Sequence, residues 1–226
     1  MYLFAYRVQE TLQELIQSQP RDLWQHSHSV ACIAADLSQT ACRTSKEQER
    51  VWIGSLLHDI GKQFVPASIL EKKGSLSPAE FSCIQQHPWV GYIYLNNFVS
   101  DSIILNTVLY HHERWDGTGY PCRLKGEQIP LGARICALAD VWDALVSDRC
   151  YRSAWSMSQA VNLIWAGAGS QFDPWLAFQF LAMIEGQEKY ASIADAQDTP
   201  TFTLPGRNAP AFERKRLAGL RGSLPA

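Results

Sequence analysis

Several features that mark common protein classes are missing or scarce in this chain of 226 residues. A formal net charge of only −2 excludes a general attraction to nucleic acid polymers or anionic membranes, so any phosphate recognition must be local. No apolar run is long enough to span a bilayer, and the first residues lack the basic start and apolar stretch of a secretion signal. The six cysteines form no C-x-x-C pair, which favours small buried hydrophobic side chains over metal ligands. We therefore expect a reduced, cytoplasmic protein that neither inserts into membranes nor binds nucleic acid polymers.

The alternation of polar and apolar residues that marks strands is nearly absent, whereas apolar residues recur at helical spacing along most of the chain. Helices are predicted over residues 21–41, 45–59, 77–87, 101–112, 131–147, 156–165 and 174–184. The helix over 45–59 opens with a capping-box-like pair, Ser45 and Gln48, and closes at Gly61. Pro78 stands at the first position of the next helix. With an apolar fraction of 46%, the sequence predicts one all-α, bundle-like domain.

The composition changes beyond about Gly186. Prolines become frequent between residues 195 and 226, core candidates are few, and a small basic cluster falls at residues 214–216. We interpret that cluster as a solvated charge run rather than a docking or nucleic-acid contact. The chain is predicted to comprise an N-terminal helix over residues 1–20, a domain over residues 21–186 and a flexible tail over residues 187–226.

Five of the six histidines lie in four short clusters, each beside a carboxylate, a lysine or a glycine turn. The clusters are Gln25-His26-Ser27, Leu57-His58-Asp59-Ile60-Gly61-Lys62, Gln86-His87-Pro88 and the block over residues 111–121. An acidic segment with Asp140 and Asp143 follows. Imidazole and carboxylate bind borderline-hard divalent cations, and so dense a set indicates more than one metal. We therefore predict a metal-dependent phosphohydrolase.

The pair His58 and Asp59 lies at the end of a predicted apolar helix. Neighbouring helical side chains point about 100° apart, and a carboxylate has two oxygens, so the pair suits one terminal and one bridging ligand. Gly61 ends the helix and leaves Lys62 able to approach an anion near the metals. The spacing of the pair is a weak signal by itself, and the Asp-Ile-Gly-Lys extension strengthens it.

The remaining histidines have ordinary alternatives when each is considered alone. His26 or His87 by itself would be a partly buried histidine without a ligand role. Adjacent His111 and His112 close an apolar helix, where burial of a polar side chain without a binding partner is costly. A metal ion would supply that partner, and the alternative is two hydrogen-bonded or exposed histidines without a ligand role. His28, two positions from His26, faces elsewhere on the helix and is left out of the site.

Two further pairs contribute charge. Asp140 and Asp143 lie one turn apart in an otherwise apolar helix, and a buried carboxylate needs a cation or several donors. We assign Asp140 as a metal ligand and Asp143 as a residue that orients a neighbour or caps a hydrogen-bond network. Arg149 and Arg152 suit phosphate oxygens, with ordinary surface salt bridges as the alternative.

Taken together, these segments resemble the HD-GYP family, a branch of the HD phosphohydrolase superfamily associated with bacterial cyclic di-GMP turnover. The resemblance covers roughly residues 22–174, and the block over 111–121 is its most specific part. It also takes in the other histidine clusters, Ile129-Pro130-Leu131, residues 139–145, Asp148-Arg149-Cys150-Tyr151-Arg152 and Phe172-Asp173-Pro174. It implies an HD-domain-like helical bundle with a bi- or trinuclear metal site.

The resemblance also assigns roles to single residues. Metal ligands fall on His26, His58, Asp59, His87, His111, His112 and Asp140. Catalysis falls on Asp59 and Lys62, and phosphate contacts fall on Lys62, Arg149 and Arg152. The turn over residues 117–121, with Gly119 and Tyr120, belongs to the substrate side and is linked to contacts with GGDEF-domain proteins.

Two positions depart from the family pattern. Some members bind a third metal through a glutamate one turn before the first histidine, and Asp22 stands there in this chain. Asp22 is four residues before His26 on the same helix face, so it is either a ligand to a third cation or a helix-start residue. Ser29 stands where relatives often carry arginine, and we attach no loss of function to it.

The implied reaction is hydrolysis of cyclic di-GMP to linear pGpG, with GMP as a further product, in bacterial second-messenger signalling. The mixed His/Asp set without cysteine favours two or three iron or manganese ions. Two alternatives stay open. One is an HD-type phosphohydrolase for another cyclic dinucleotide or nucleotide, and the other is a catalytically weak signalling module that binds cyclic di-GMP or a GGDEF protein. The complete ligand set argues against the second, because binding alone would not require it.

Overall fold

A computed structural model describes residues 21–148 and 153–191, with side chains for residues 23–148 and 153–186. Its helices are α1 (Arg21–Ala41), α2 (Ser45–Leu56), α3 (Ala67–Leu70), α4 (Pro78–Ile84), α5 (His87–Leu95), α6 (Ser102–Tyr110), α7 (Leu131–Val146), α8 (Met157–Gly167) and α9 (Pro174–Ala191). Short 3₁₀ turns lie at Ile60–Phe64 and Gly126–Gln128. The described residues form no strand, only an isolated bridge between Ala168 and Phe172, and the predicted all-α class is confirmed.

Several predicted features lie outside the described residues. They are the N-terminal helix over residues 1–20, the tail beyond residue 191, and Arg149 and Arg152. Helix α9 continues to Ala191, past the predicted end of the domain at residue 186. Within the described ranges, no helix is long and apolar enough to cross a membrane.

Two clusters of buried apolar side chains form the core. In the larger one, α1 packs against α2, α7 and α9. Val30, Ala34 and Leu37 recur at helical spacing on α1 and are fully buried, which stabilises the domain by about 1.5–3 kcal/mol for each large aliphatic side chain. The smaller cluster joins the end of α2 to α5 and α6. His58 directly follows Leu57 of the smaller cluster, and Asp140 directly follows Ala139 of the larger one, so the polar site lies where the two clusters meet.

The N-terminal cap of α2 lies one residue earlier in the chain than the sequence predicted. The cap is Thr44, whose backbone is extended (φ −134°, ψ 150°) and whose hydroxyl accepts from the Glu47 amide at 3.2 Å. The Glu47 carboxylate accepts from the Thr44 amide at 3.2 Å, which completes a capping box. The predicted pair of Ser45 and Gln48 was wrong, because Ser45 is already helical.

Two helix boundaries near the site differ from the prediction. Helix α2 ends at Leu56, so His58 and Asp59 lie in the turn after it rather than on it. The predicted helix over 77–87 ends at Ile84, and a separate helix, α5, begins at His87. Pro88 accounts for the break, because proline lacks an N–H and is tolerated only in the first turn of a helix.

Gly61 does not end α2, as the sequence suggested, but lies inside the 3₁₀ turn after Asp59. A Cβ atom there would lie 2.0 Å from the His87 carbonyl oxygen and 2.7 Å from the Gly91 amide nitrogen. Only glycine therefore lets this turn approach α5 so closely, which brings Asp59 next to His87.

The cysteines are less buried than predicted. Of the five that are described, only Cys136 is buried, whereas Cys32 and Cys122 are exposed and Cys42 and Cys83 are partly buried. The prediction of small buried side chains was wrong for most of them, because they lie on the outward faces of helices or in loops.

Candidate metal centre

Seven imidazole and carboxylate side chains from α1, α5, α7 and the turns after α2 and α6 converge on one site. One group consists of Asp59, His87, His111 and His112, and the other of His26, His58 and Asp140. Within each group, one donor atom of every residue lies within 4.8 Å of the others. These seven are the residues that the sequence analysis singled out, together with Asp22, as metal ligands.

Asp59 lies between the two groups and presents a different oxygen to each. Its Oδ1 is 3.2 Å from Nε2 of His87 and 3.9 Å from Nε2 of His111. Its Oδ2 is 3.3 Å from Nε2 of His58 and 3.8 Å from Nε2 of His26. This arrangement suits a carboxylate that bridges two cations.

Three of these histidines are held in place by the backbone at the end of a helix. The Nδ1 atoms donate to the carbonyl three residues earlier, at 2.6 Å for His58, 2.7 Å for His87 and 2.8 Å for His111. Carbonyl groups in the last turn of a helix lack intrahelical partners and are free to accept. Because a carbonyl can only accept, each ring carries a proton on Nδ1 and turns the lone pair of Nε2 towards the site.

Several donor atoms of the site face each other without a hydrogen bond between them, and a divalent cation would satisfy them. The Nε2 atoms of His87 and His111 are 3.2 Å apart, so two lone pairs face each other. Among the described residues, His58 Nε2 and Asp59 Oδ1 are buried and have no hydrogen-bond partner. Unpaired buried polar atoms are costly, and a cation in each group would satisfy one of them.

Electrostatics keep the ligands in the forms that bind metals. Burial, then neighbouring histidines, holds the pKa of His111 well below its usual range, and burial lowers the pKa of His112 to about 3. Burial alone would raise the pKa of Asp59, but interactions with His58 and with the ammonium group of Lys62 outweigh burial and hold that pKa well below its usual value. His111 and His112 are therefore neutral, and Asp59 is ionised, at neutral pH.

His26 differs because it shares its proton with carboxylates. Burial lowers its pKa, but hydrogen bonds to Asp140 and Asp143 outweigh burial and raise the pKa to about 9. Its Nε2 lies 3.1 Å from Asp140 Oδ1, and its Nδ1 lies 2.7 Å from Asp143 Oδ2. A cation at Nε2 would displace the proton there. Asp143 joins neither ligand group.

Lys62 stands beside the ligands on the 3₁₀ turn. Its Nζ is 2.5 Å from Asp59 Oδ2, and its side chain is 28% exposed. It is thus a cation at the open side of the metal centre, where a phosphate oxygen could reach it.

The loop after α6 carries Gly119 and Tyr120 over the site. The Tyr120 ring lies 4.8 Å from the His112 ring, tilted by 30°. A Cβ atom on Gly119 would lie 2.4 Å from the Arg114 amide nitrogen and 2.6 Å from the His112 carbonyl oxygen, so only glycine fits there. The backbone of this loop therefore packs directly onto the histidine pair.

Glu113 anchors the same loop, and the sequence analysis missed it. Its carboxylate is buried and accepts from the backbone amides of Cys122 at 2.6 Å and Leu124 at 3.0 Å. Burial raises its pKa, and these hydrogen bonds lower it in part. The signal available in the sequence was a carboxylate directly after His111 and His112, within a block already recognised as specific.

A cleft of about 350 Å³ opens from the metal ligands. Its lining includes His111, His112, Asp140, Gly119, Tyr120 and Phe81. Gly119 and Tyr120, two of the predicted substrate-side residues, thus border the same space as the ligands. Of the other predicted residues, Asp22 lies in the described part of α1 one turn before His26, but its side chain, like Arg149 and Arg152, is outside the described set.

Several known proteins are similar to this chain in sequence. The model of the HD domain family matches residues 10–176. A cyclic di-GMP phosphodiesterase of Vibrio cholerae serotype O1 is 41% identical over 155 residues, which cover 65% of this chain and 30% of that protein. The 3'3'-cGAMP-specific phosphodiesterase 2 of the same organism is 34% identical over 165 residues, which cover 72% of this chain and 32% of that protein. This chain thus spans about a third of the length of these curated relatives.

A solved structure shares the fold. Bd1817, an HDG"Y"P protein from Bdellovibrio bacteriovorus, matches with a TM-score of 0.60 and 20% sequence identity, over 73% of this chain and 53% of that one. At this identity the likeness concerns the helical architecture. It agrees with the predicted HD-domain-like bundle.

Proposed function

This chain belongs to the HD domain family, within the HD-GYP branch that its motifs resemble, and on that premise we propose that it is a metal-dependent phosphodiesterase. Its substrate is cyclic di-GMP, which it opens to linear pGpG and, with a second cut, to GMP. The observation that carries the proposal is Asp59, whose two oxygens face two separate groups of ligands. The relatives named above support a cyclic dinucleotide as the class of substrate.

Each ligand group has a role in this proposal. His26, His58 and Asp140 would hold one cation, His87, His111 and His112 would hold the other, and Asp59 would contribute from its place between the two groups. Divalent cations bound there would supply Lewis acidity, which activates water and draws charge from phosphate oxygens. Nitrogen and oxygen donors without a thiolate favour iron or manganese.

The remaining residues bind and orient the substrate. Lys62, at the open side of the ligands, donates to a phosphate oxygen. Tyr120 and Gly119 border the cleft and confine the nucleotide beside the metals. Arg149 and Arg152, assigned by resemblance, hold the phosphodiesters in line for attack. Positioning of this kind lowers the activation free energy, because the reacting groups lose little further translational and rotational entropy when they react.

Asp22 is the proposed ligand to a third cation, with a helix-start role as the competing interpretation. Asp22→Asn should lower the metal stoichiometry by one if Asp22 is a ligand. If it only supports the start of α1, Asp22→Ala should cost about 0.5–2 kcal/mol of stability and leave the metal content unchanged. Elemental analysis and thermal unfolding of both variants decide between the two.

The loop after α6 also suits a partner. Thr118, Pro121 and Arg123 of this loop are exposed, whereas Glu113 is buried. We propose that this surface contacts GGDEF-domain proteins and that the protein acts in the cytoplasm, where cyclic di-GMP would be turned over. Arg123→Glu should weaken binding of a purified GGDEF domain, measured by titration calorimetry, without changing hydrolysis. Unchanged binding would remove this loop as the partner surface.

Product analysis tests the proposed function. Purified protein supplied with Mn²⁺ or Fe²⁺ is incubated separately with cyclic di-GMP and with cyclic GMP-AMP, and the products are separated by liquid chromatography. We expect pGpG, followed by GMP, from cyclic di-GMP. Faster cleavage of cyclic GMP-AMP would reassign the base specificity. Folded, metal-loaded protein that binds either compound without cleaving it would support the signalling module instead.

A further inference from the structure

His26 needs an anchor of a different kind from the other histidines of the site. His58, His87 and His111 follow the ends of helices and donate to free carbonyl groups there. His26 lies inside α1 (Arg21–Ala41), where the backbone carbonyls are used by the helix itself. Its Nδ1 must therefore find an acceptor on another element.

Asp143 on α7 is that acceptor. Its Oδ2 lies 2.7 Å from His26 Nδ1, although 117 positions separate the two residues in sequence. The carboxylate is 3% exposed. Its other oxygen accepts from the hydroxyl of Ser29 on α1 and from the hydroxyl of Ser147 at 3.1 Å. Both oxygens are thus engaged, and Asp143 itself belongs to neither ligand group.

We infer that Asp143 is a positioning residue, which fixes the His26 ring and its tautomer so that Nε2 faces Asp140 and the metal. The inference rests on the proposed metal centre. A carboxylate that accepts from the far nitrogen of a ligating imidazole orients the ring and strengthens it as a ligand, and loss of such a partner typically lowers metal affinity by about 10–100-fold.

Ser29 holds Asp143 in turn. It stands three residues after His26, on the same face of α1, and its hydroxyl donates to the oxygen of Asp143 that His26 does not use. A hydroxyl at this position is neutral, so Ser29 holds Asp143 without adding charge beside it. Among the described residues, His26 is the basic side chain that pairs with Asp143.

A double-mutant cycle measures this coupling. Wild type, Asp143→Asn, His26→Gln and the double variant are dialysed against limiting Mn²⁺, and bound metal is determined by elemental analysis. Asp143→Asn should weaken one Mn²⁺ site by about 10–100-fold and leave the other near wild type. In the His26→Gln background it should have no further effect, because its action passes through His26. Asp36→Asn, an equal charge change on the exposed face of α1, is the control and should bind Mn²⁺ like wild type.

The outcomes separate this inference from the proposed function. Equal losses in both backgrounds, or wild-type affinity in Asp143→Asn, would overturn the positioning role while leaving hydrolysis possible. Wild-type protein that binds Mn²⁺ with the expected coupling but cleaves no cyclic dinucleotide would refute the function alone. Protein that binds no Mn²⁺ at all would overturn both. If Asp143→Asn does not fold, as judged by circular dichroism, the same cycle is run with Ser29→Ala, and absence of coupling there would overturn the inference.

Discussion

The ammonium nitrogen of Lys62 lies 2.5 Å from Oδ2 of Asp59. Asp59 is 1% exposed and faces both ligand groups, whereas Lys62 is 28% exposed and approaches from the 3₁₀ turn. The ammonium group of Lys62 thus lies between the buried carboxylate of Asp59 and the more exposed part of the site. Removing this ammonium group should lower turnover without lowering the metal content.

Lys62→Ala should lower kcat for cyclic di-GMP by about 10²-fold or more, the usual loss when a group that stabilises transition-state charge is removed. Metal content should stay near wild type, because loss of a positive charge beside Asp59 does not weaken that carboxylate's attraction for a cation. Initial rates and elemental analysis on the same samples check both. Lys72→Ala, whose ammonium pairs with Glu80 at the surface, is the matched control and should change neither. Metal loss in Lys62→Ala would place Lys62 among the groups that hold the ions.

Gly61→Ala should destabilise the domain, because a Cβ atom would lie 2.0 Å from the backbone oxygen of His87. Forcing such a contact typically costs about 1–3 kcal/mol, and the shift should also lower metal affinity by moving Asp59 away from His87. Denaturant unfolding and Mn²⁺ titration measure the two effects. Gly186→Ala on α9 adds the same methyl group to open space and should be neutral or stabilise by up to about 1 kcal/mol. Equal stability of the two variants would show that the turn can move away from α5 at no cost.

Glu113→Gln should loosen the loop that carries Tyr120. The amide NH₂ group would replace one of the two accepting oxygens and face the backbone amide of Cys122 or of Leu124. An unpaired buried group costs about 1–3 kcal/mol. Hydrogen exchange of those two amides should accelerate, and KM should rise while metal content stays unchanged. Glu127→Gln, an exposed carboxylate in the same segment, is the control. If exchange at Cys122 and Leu124 were as slow as in wild type, the loop would be held by contacts other than Glu113.

Local sequence patterns accounted for the helices and the ligand set. The apolar spacing of Val30, Ala34 and Leu37 predicted α1 with the bounds that the structure has. The block over residues 111–121 indicated both the histidine pair as metal ligands and the loop beside the pair, because these residues are neighbours in sequence as well as in space. Periodicity and short motifs suffice where the interacting residues lie within a few turns of each other.

The remaining features depend on contacts between distant parts of the chain. The end of α2 at Leu56 accompanies the close packing of the Gly61 turn on α5, which no local pattern reports. Asp143 could be predicted to orient a neighbour, but its partner, His26, lies on another helix. Glu113 was missed because its acceptor role becomes visible only when the loop folds back onto it.

The central claim is that two metal groups share Asp59, and Asp59→Asn tests it most directly. The amide keeps the size of the side chain but loses the charge that faces both groups, so the fold should remain while bound Mn²⁺ and cyclic di-GMP hydrolysis fall together. The decisive measurement is the number of Mn²⁺ ions per chain, determined alongside turnover in wild type and Asp59→Asn. We expect at least two ions and hydrolysis in wild type, and loss of both in the variant. An Asp59→Asn protein that keeps its ions and its turnover would contradict the account.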